Sequence, residues 1–302
     1  MRLAAFAAVL VCAGCNLKTV AMRSLADTVA EPGGVYSRDD DPELVRDALP
    51  VMLKIMEQLA DGLPKHEGIR LGLVRGFTSY GAAFIEDDAD RMEEVDVEKA
   101  RPLYLRAKKM FLRAWGYGLD GLDLAVPGFK QAFLHGSKED RRRVLALAGK
   151  ADVPLLYWTG AAIGSAVASG KDDMAVVGEL PKAAELMQRA LALDESWDDG
   201  SIHEFFITYD ASRSAAEGGG FTEARKHFTR ALELGRNKKL SPLVTYAEAV
   251  AVGQQDKASF TKLLNQVIAF DVDTVPENRL VNVLAQRRAR WLLSRTADLF
   301  AD

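Results

Sequence analysis

The run Ile202–Phe206, "IHEFF", places a histidine just before a glutamate, which is how a helix-borne zinc hydrolase motif begins. That chemistry needs a second histidine four residues after the first, so that two ring nitrogens share one helix face. Position 207 is Ile, and the four histidines stand at 66, 135, 203 and 227, without zinc spacing among them. Two acidic runs invite a calcium reading: Glu86–Asp90, "EDDAD", and Asp271–Glu277, "DVDTVPE". Neither holds the glycine that turns an EF-hand loop, so both read as solvated helix ends. Glycine-rich phosphate loops and a G-x-S-x-G elbow are missing from the sequence. A catalytic reading would need carboxylates converging with His203 in one cleft. Neither an enzyme nor a bound cofactor or metal is expected.

Aromatic residues are more informative. At 100° per residue, Ile202, Phe205, Phe206 and Tyr209 form one stripe, with Glu204 roughly opposite. "FTSYGAAF" aligns Phe77, Tyr80 and Phe84, while "LLYWTGAAIGSAVAS" joins Tyr157 and Trp158 to a face of small residues. Such stripes can be core. They can also wall a cavity, because tyrosine tips are polar and small residues leave room. Tyr80, Phe84, Tyr157, Trp158, Phe205 and Tyr209 are therefore candidate lining residues. Arg288 projects near the middle of an apolar stripe of Val281, Leu284, Ala285 and Leu292. A buried guanidinium there requires an acidic partner or an anionic ligand.

The elements that position these residues read as helices. No alternating β-branched run is long enough for a strand. "DPELVRDALPVMLKIMEQLADGLP" opens on Asp–Pro and stops at Gly62 and Pro64; "SKEDRRRVLALAG" opens on a capping Ser137; "PENRLVNVLAQRRARWLLSRTADLF" is a long final helix. Breaks are expected at Gly33–Gly34, Gly62–Pro64, Gly116–Gly121, Gly136, Gly170, Gly218–Gly220 and Ser241–Pro242. A small–large–small triplet recurs as Ala107/Phe111/Ala114, Ala183/Met187/Ala190 and Ala224/Phe228/Ala231, with a degenerate copy at Phe260/Leu264/Val267. Steps of three or four residues keep each triplet on one helix face. The second helix of a tetratricopeptide repeat carries this pattern, although the spacing here is irregular. The expected fold is all-α, an irregular tetratricopeptide-like array of helical hairpins forming an α-α superhelix.

The 302 residues suffice for one large domain or two small ones. A net charge of −4 and a pI near 5.7, with no basic stripe, argue against nucleic acid as a partner. Both cysteines lie in "MRLAAFAAVLVCAGC", where Arg2, an apolar run from Leu3 to Val11, and the small Ala13 and Gly14 form a secretory leader. The leader is too short to span a bilayer, which takes roughly 20 apolar residues. It ends at Cys15 as a bacterial lipobox does; an ordinary secretory cleavage nearby is the alternative. The expected division is a leader over 1–14, a lipid-anchored and partly helical segment over 15–47, and a repeat domain over 48–302.

"FTSYGAAFIEDDADR", "IHEFFITYDASR", "GGGFTEARKHFTRALELG" and "LAQRRARWLLSRTADLF" resemble the TatT family, tetratricopeptide-like lipoproteins associated with TRAP transporters. The resemblance runs from about Leu49 to Phe300. It implies a non-catalytic bacterial lipoprotein of the periplasm, anchored at Cys15, and the uncharged Asn16 after that cysteine is, by the usual lipoprotein rule, compatible with the outer membrane. It further implies a TRAP-type solute-binding protein as partner, a homotrimer, and a cavity passing a hydrophobic or organic-anion ligand. A peptide-gripping scaffold in envelope assembly is the alternative.

Overall fold

The Asp41 carboxylate accepts from the amides of Glu43 and Leu44, at 3.0 and 3.1 Å, and Pro42 fills the first helical position. The helix so started runs to Gly62, as its end signals require. The computed structural model describes residues 17–301, except positions 32 and 237; the leader and Cys15 fall outside them. Helix α1 covers 17–30, α2 Pro42–Gly62, α3 Glu67–Tyr80 and α4 Asp87–Glu93. A π-helical turn, Gly81–Glu86, joins α3 to α4 without a break. Then come α5 (Val97–Ala125), α6 (Phe129–His135), α7 (Lys138–Leu147), α8 (Val153–Ala168) and α9 (Leu180–Leu193). The remainder is α10 (Ser201–Ala211), α11 (Phe221–Gly235), α12 (Ser241–Tyr246), α13 (Lys257–Ala269) and α14 (Arg279–Ser294). A second π-turn, Ala247–Ala251, extends α12. Among the described residues no strand occurs, and no helix is long and apolar enough to cross a membrane.

The helices pair as hairpins: α3 on α5, α8 on α9, α10 on α11, and the π-turn after α12 on α13. Each recurring triplet sits in the second member of its pair. Ala107, Phe111, Ala114, Ala183, Met187, Ala190, Ala224, Phe260, Leu264 and Val267 have no exposed surface, and Ala231 has almost none. Phe228 is half-buried, stacked on Tyr246 at 4.1 Å. The fold is an irregular, all-α hairpin array.

One expected break is absent: α5 runs straight through Gly116, Gly118 and Gly121. Two of these glycines serve close approach instead. A Cβ on Gly118 would stand 2.2 Å from Thr159 Oγ1, and one on Gly121 would stand 2.7 Å from Leu155 Cδ2. Bare backbone there lets α8 lie against α5. The Gly218–Gly220 turn does break the chain: Gly218 and Gly220 take φ of +78° and +97°, which glycine alone adopts without strain.

Helix α1 belongs to the same body, with Ala26 and Ala30 in the main hydrophobic cluster and Arg75 Nη2 donating to the Ala30 carbonyl at 2.9 Å. Positions 47 and 48 both lie inside α2, so no structural seam falls between them. At the other end, α14 bridges two cores. Leu280 and Leu284 pack on the main cluster, while Ala285, Ala289 and Leu292 build the C-terminal one. Arg287 Nη1 reaches Glu43 Oε1 at 2.5 Å, so the last long helix is tied back to α2 and the array closes on itself.

Candidate functional site

Helix α8 starts where Pro154 occupies a first-turn position, and its sequence sets two adjacent aromatics ahead of a run rich in small residues. Tyr157 and Trp158 come early in the helix. The Tyr157 ring meets Trp158 edge-on at 5.2 Å and Trp197 at 4.6 Å. Midway along, Gly164 leaves space that a ring from α10 occupies: a Cβ there would be 3.2 Å from Phe205 Cε2. Phe205 stacks on Tyr209 one turn later, with centroids 5.7 Å apart and planes at 18°. All four aromatics are half-buried. Two aromatic pairs are thus set along the α8 seam, Tyr157 with Trp158 near its start and Phe205 with Tyr209 at Gly164, with no ring contact between the pairs.

A carboxyl group lies toward each end of that seam. Near Tyr157, Glu204 accepts from Ser241 Oγ at 2.8 Å and Thr245 Oγ1 at 2.9 Å, both from α12. Burial pushes the Glu204 carboxyl up, against the pull of these hydroxyls. The Tyr157 hydroxyl is also pushed up, first by burial and then by the charges of Glu204 and Asp198. Just past the last turn of α8, Ser169 Oγ donates to Glu86 Oε1 at 2.6 Å. Burial, reinforced by Asp90, raises the Glu86 carboxyl to about 7 despite that bond and the Arg288 charge. Both glutamates stay partly accessible while strongly desolvated. Burial, more than any neighbouring charge, sets the state of both carboxyls.

Arg288 is held by acids from two other elements. Its Nε and Nη2 engage the two oxygens of Glu248 on the second π-turn. Its Nη1 lies 2.7 Å from Asp90 Oδ2 and 3.3 Å from Asp87 Oδ1, both on α4. The Trp291 ring lies under the guanidinium at 4.2 Å. Burial opposes the charge, but Glu248, then Asp90 and Asp87, overcome it and raise the pKa. An anionic ligand would have to displace one of these carboxylates.

Tyr80 and Phe84 sit elsewhere, only 5% and 2% exposed, with rings 5.6 Å apart in the main cluster. They make no ring contact with the α8–α10 group. Cys15 lies outside the described residues.

Glu204, placed by periodicity opposite the aromatic stripe, is covered on that side by α12. One expectation is corrected. The "EDDAD" run is not a solvated end. Asp87 is 14% exposed and pairs with Arg91 at 2.8 Å as well as Arg288, while Asp88 pairs with Arg46. Apart from the local Asp87–Arg91 pair, the partners of these acids lie about 40 to 200 positions away, beyond the reach of local pattern. The Ser241 and Thr245 hydroxyls, four apart on one helix face, were the available local signal for a buried acceptor.

Residues 38–300 match the family described as TRAP transporter T-component. An uncharacterized protein of Treponema pallidum (strain Nichols) is 32% identical over 312 residues, covering 99% of this chain and 97% of that protein. On the length of the family match and the closeness of that relative, the chain belongs to the TRAP transporter T-component family.

Proposed function

We propose that the protein is the lipid-anchored periplasmic accessory of a TRAP uptake system, tethered through Cys15 to the outer membrane. In this reading it docks a TRAP solute-binding protein as a homotrimer and passes that partner a ligand along α8. Family membership supports the transport role. The ligand route rests on one observation: the seam lined by Tyr157, Trp158, Phe205 and Tyr209, with desolvated carboxyls at Glu204 and Glu86. The acids also narrow the ligand class. With Arg288 already surrounded by three carboxylates, an organic anion would meet like charge, and an apolar or neutral amphipathic molecule would not.

Native mass spectrometry of the mature protein, with and without a TRAP solute-binding protein from the same source, tests this. A trimer carrying an apolar adduct, lost in Tyr157→Ala/Phe205→Ala, is the expected result. Metabolic labelling with palmitate should mark the wild type and not Cys15→Ser. A monomer that carries nothing and captures peptides instead would overturn the proposal in favour of a scaffold.

A further inference from the structure

Helix α1 meets the rest of the protein in a fixed order. The Met22 methyl group fills the place of a Gly62 side chain, and Asp27 Oδ1 lies 3.1 Å from His66 Nε2. Ala30 backs onto Gly72, where a Cβ would stand 3.2 Å from the Ala30 Cα. Positions 22, 27 and 30 thus reach the end of α2, the α2–α3 turn and the body of α3. Followed backwards, α1 passes that turn and projects beyond it, with Leu17 about 7 Å past Met22 at 1.5 Å per residue. Residues 17–21, more than one full turn, are all exposed, Leu17 at 71% and Val20 at 58%. The projection is not a loose arm. Ala26 and Ala30 are in the main cluster, and Arg75 Nη2 donates to the carbonyls of Ala30 and Glu31, at 2.9 and 3.0 Å.

A projecting turn of Leu17, Val20 and Ala21 leaves apolar surface in water, which is unfavourable until something covers it. The chain ahead of it says what does. Only Asn16 separates Leu17 from Cys15, and two residues of chain span at most about 7 Å. An acyl chain on Cys15 therefore holds Leu17 at headgroup level. We infer that the first turn of α1 sits in the bilayer interface, and that its rigid docking holds the array upright with the α2–α3 turn facing the lipid. This rests on the acylation of Cys15 proposed above. Lying α1 lengthwise on the bilayer fits less well. Past the first turn Arg23, Ser24, Asp27 and Thr28 are exposed, with Leu25 the one large apolar side chain exposed among them. Lys18, Arg23 and Lys65 suit headgroup phosphates, but Asp61 is exposed at the same end. Apolar contact, more than net charge, carries the attachment, so phosphatidylcholine alone suffices.

That orientation gives the α8 seam a lipid side. A Cβ on Gly121 would touch both Arg70 Cβ and Leu155 Cδ2, at 3.3 and 2.7 Å, so α8 starts level with the start of α3. Past its other end, Ser169 bonds Glu86, which lies beyond the end of α3. Tyr157 is thus toward the bilayer and Glu86 away from it, and an apolar ligand exchanges with the membrane at the Tyr157 end.

Acylated protein in phosphatidylcholine vesicles tests the inference. Of the two cysteines in the sequence, Cys12 leaves with the leader and Cys15 is blocked by its lipid. Val20→Cys, Lys65→Cys and Val95→Cys, all at exposed positions, therefore each carry a single fluorophore. Emission from position 20 should be blue-shifted and quenched by a nitroxide on the lipid acyl chains. From Glu67 to Glu93 the chain is helical throughout and rises about 40 Å at 1.5 Å per residue. Energy transfer to a headgroup acceptor should accordingly be strong from position 65 and lost from position 95. Water-like emission from position 20, or equal transfer from 65 and 95, in protein that takes up palmitate would overturn the inference and leave the anchor standing. A wild type that takes up no palmitate would overturn both.

Discussion

Glu86 shows what one side chain costs when it is buried without a cation of its own. Its folded pKa of about 7 lies above the ordinary carboxyl value. A raised carboxyl contributes its stability in full below the unfolded pKa, about 4.3, and loses it as pH rises through about 7. The wild type should thus become less stable between pH 5 and pH 8. Glu86→Gln keeps a partner for the Ser169 hydroxyl and removes the titration, so its stability should vary less over that range. At pH 8 it should exceed the wild type by up to about 3 kcal/mol, read from denaturant midpoints at each pH. At this scale the sequence discloses residue types and helix faces, and little more. Tyr157 with Trp158, and Phe205 with Tyr209, were legible as pairs because each pair lies on one helix. Glu204 and Glu86 were not, since their hydroxyl partners Ser241, Thr245 and Ser169 come from helices 37 to 83 positions distant.

Elements were more legible than residues because caps and stop signals act locally. Ser137 and Asp140 form the reciprocal cap at the start of α7, and Asp41–Pro42 open α2, as their chemistry requires. Glycine was the ambiguous signal, for it marks both turns and close contacts. Gly218 and Gly220 bend the chain, whereas Gly118 and Gly121 bring α5 against α8. A pair of substitutions separates these uses within one helix. Gly116 has nothing within 4 Å of a new Cβ, so Gly116→Ala should stabilise by about 0.5–1 kcal/mol through helix propensity. Gly118→Ala drives a methyl into Thr159, whose hydroxyl is bonded to the Leu155 carbonyl at 2.5 Å and cannot swing aside freely. It should cost about 1–3 kcal/mol despite the same propensity gain. Thermal melts of the two variants, measured together, give the comparison. The two π-turns escaped sequence reading altogether, because an inserted residue leaves no periodic trace over five or six positions. They nonetheless place Glu86, and next to it Asp87, on one side of Arg288 and Glu248 on the other.

In the whole molecule, Arg288 is the point where three elements distant in sequence converge. Arg288→Leu would leave Glu248 and Asp90 without the cation between them, and Asp87 with Arg91 as its close one, at a cost of about 3–5 kcal/mol. Chemical denaturation should show the loss, and raising ionic strength should recover only part of it, because the acids are half-buried. Closure of the array also has a consequence in time. Hairpin partners lie within a few tens of residues of each other, while the ties of Arg288 to Asp87 and Arg287 to Glu43 span 201 and 244 positions. Bringing such distant segments together carries a larger entropic penalty, so it follows the local pairings. Refolding should accordingly show a fast phase in which the hairpins gain helicity and a slower one in which α14 locks onto α2 and α4. Arg288→Leu should leave the fast phase unchanged and accelerate unfolding, as a contact absent from the early transition state does. In that expected order, the joint of α14 with α2 and α4 is the last part of the array to close.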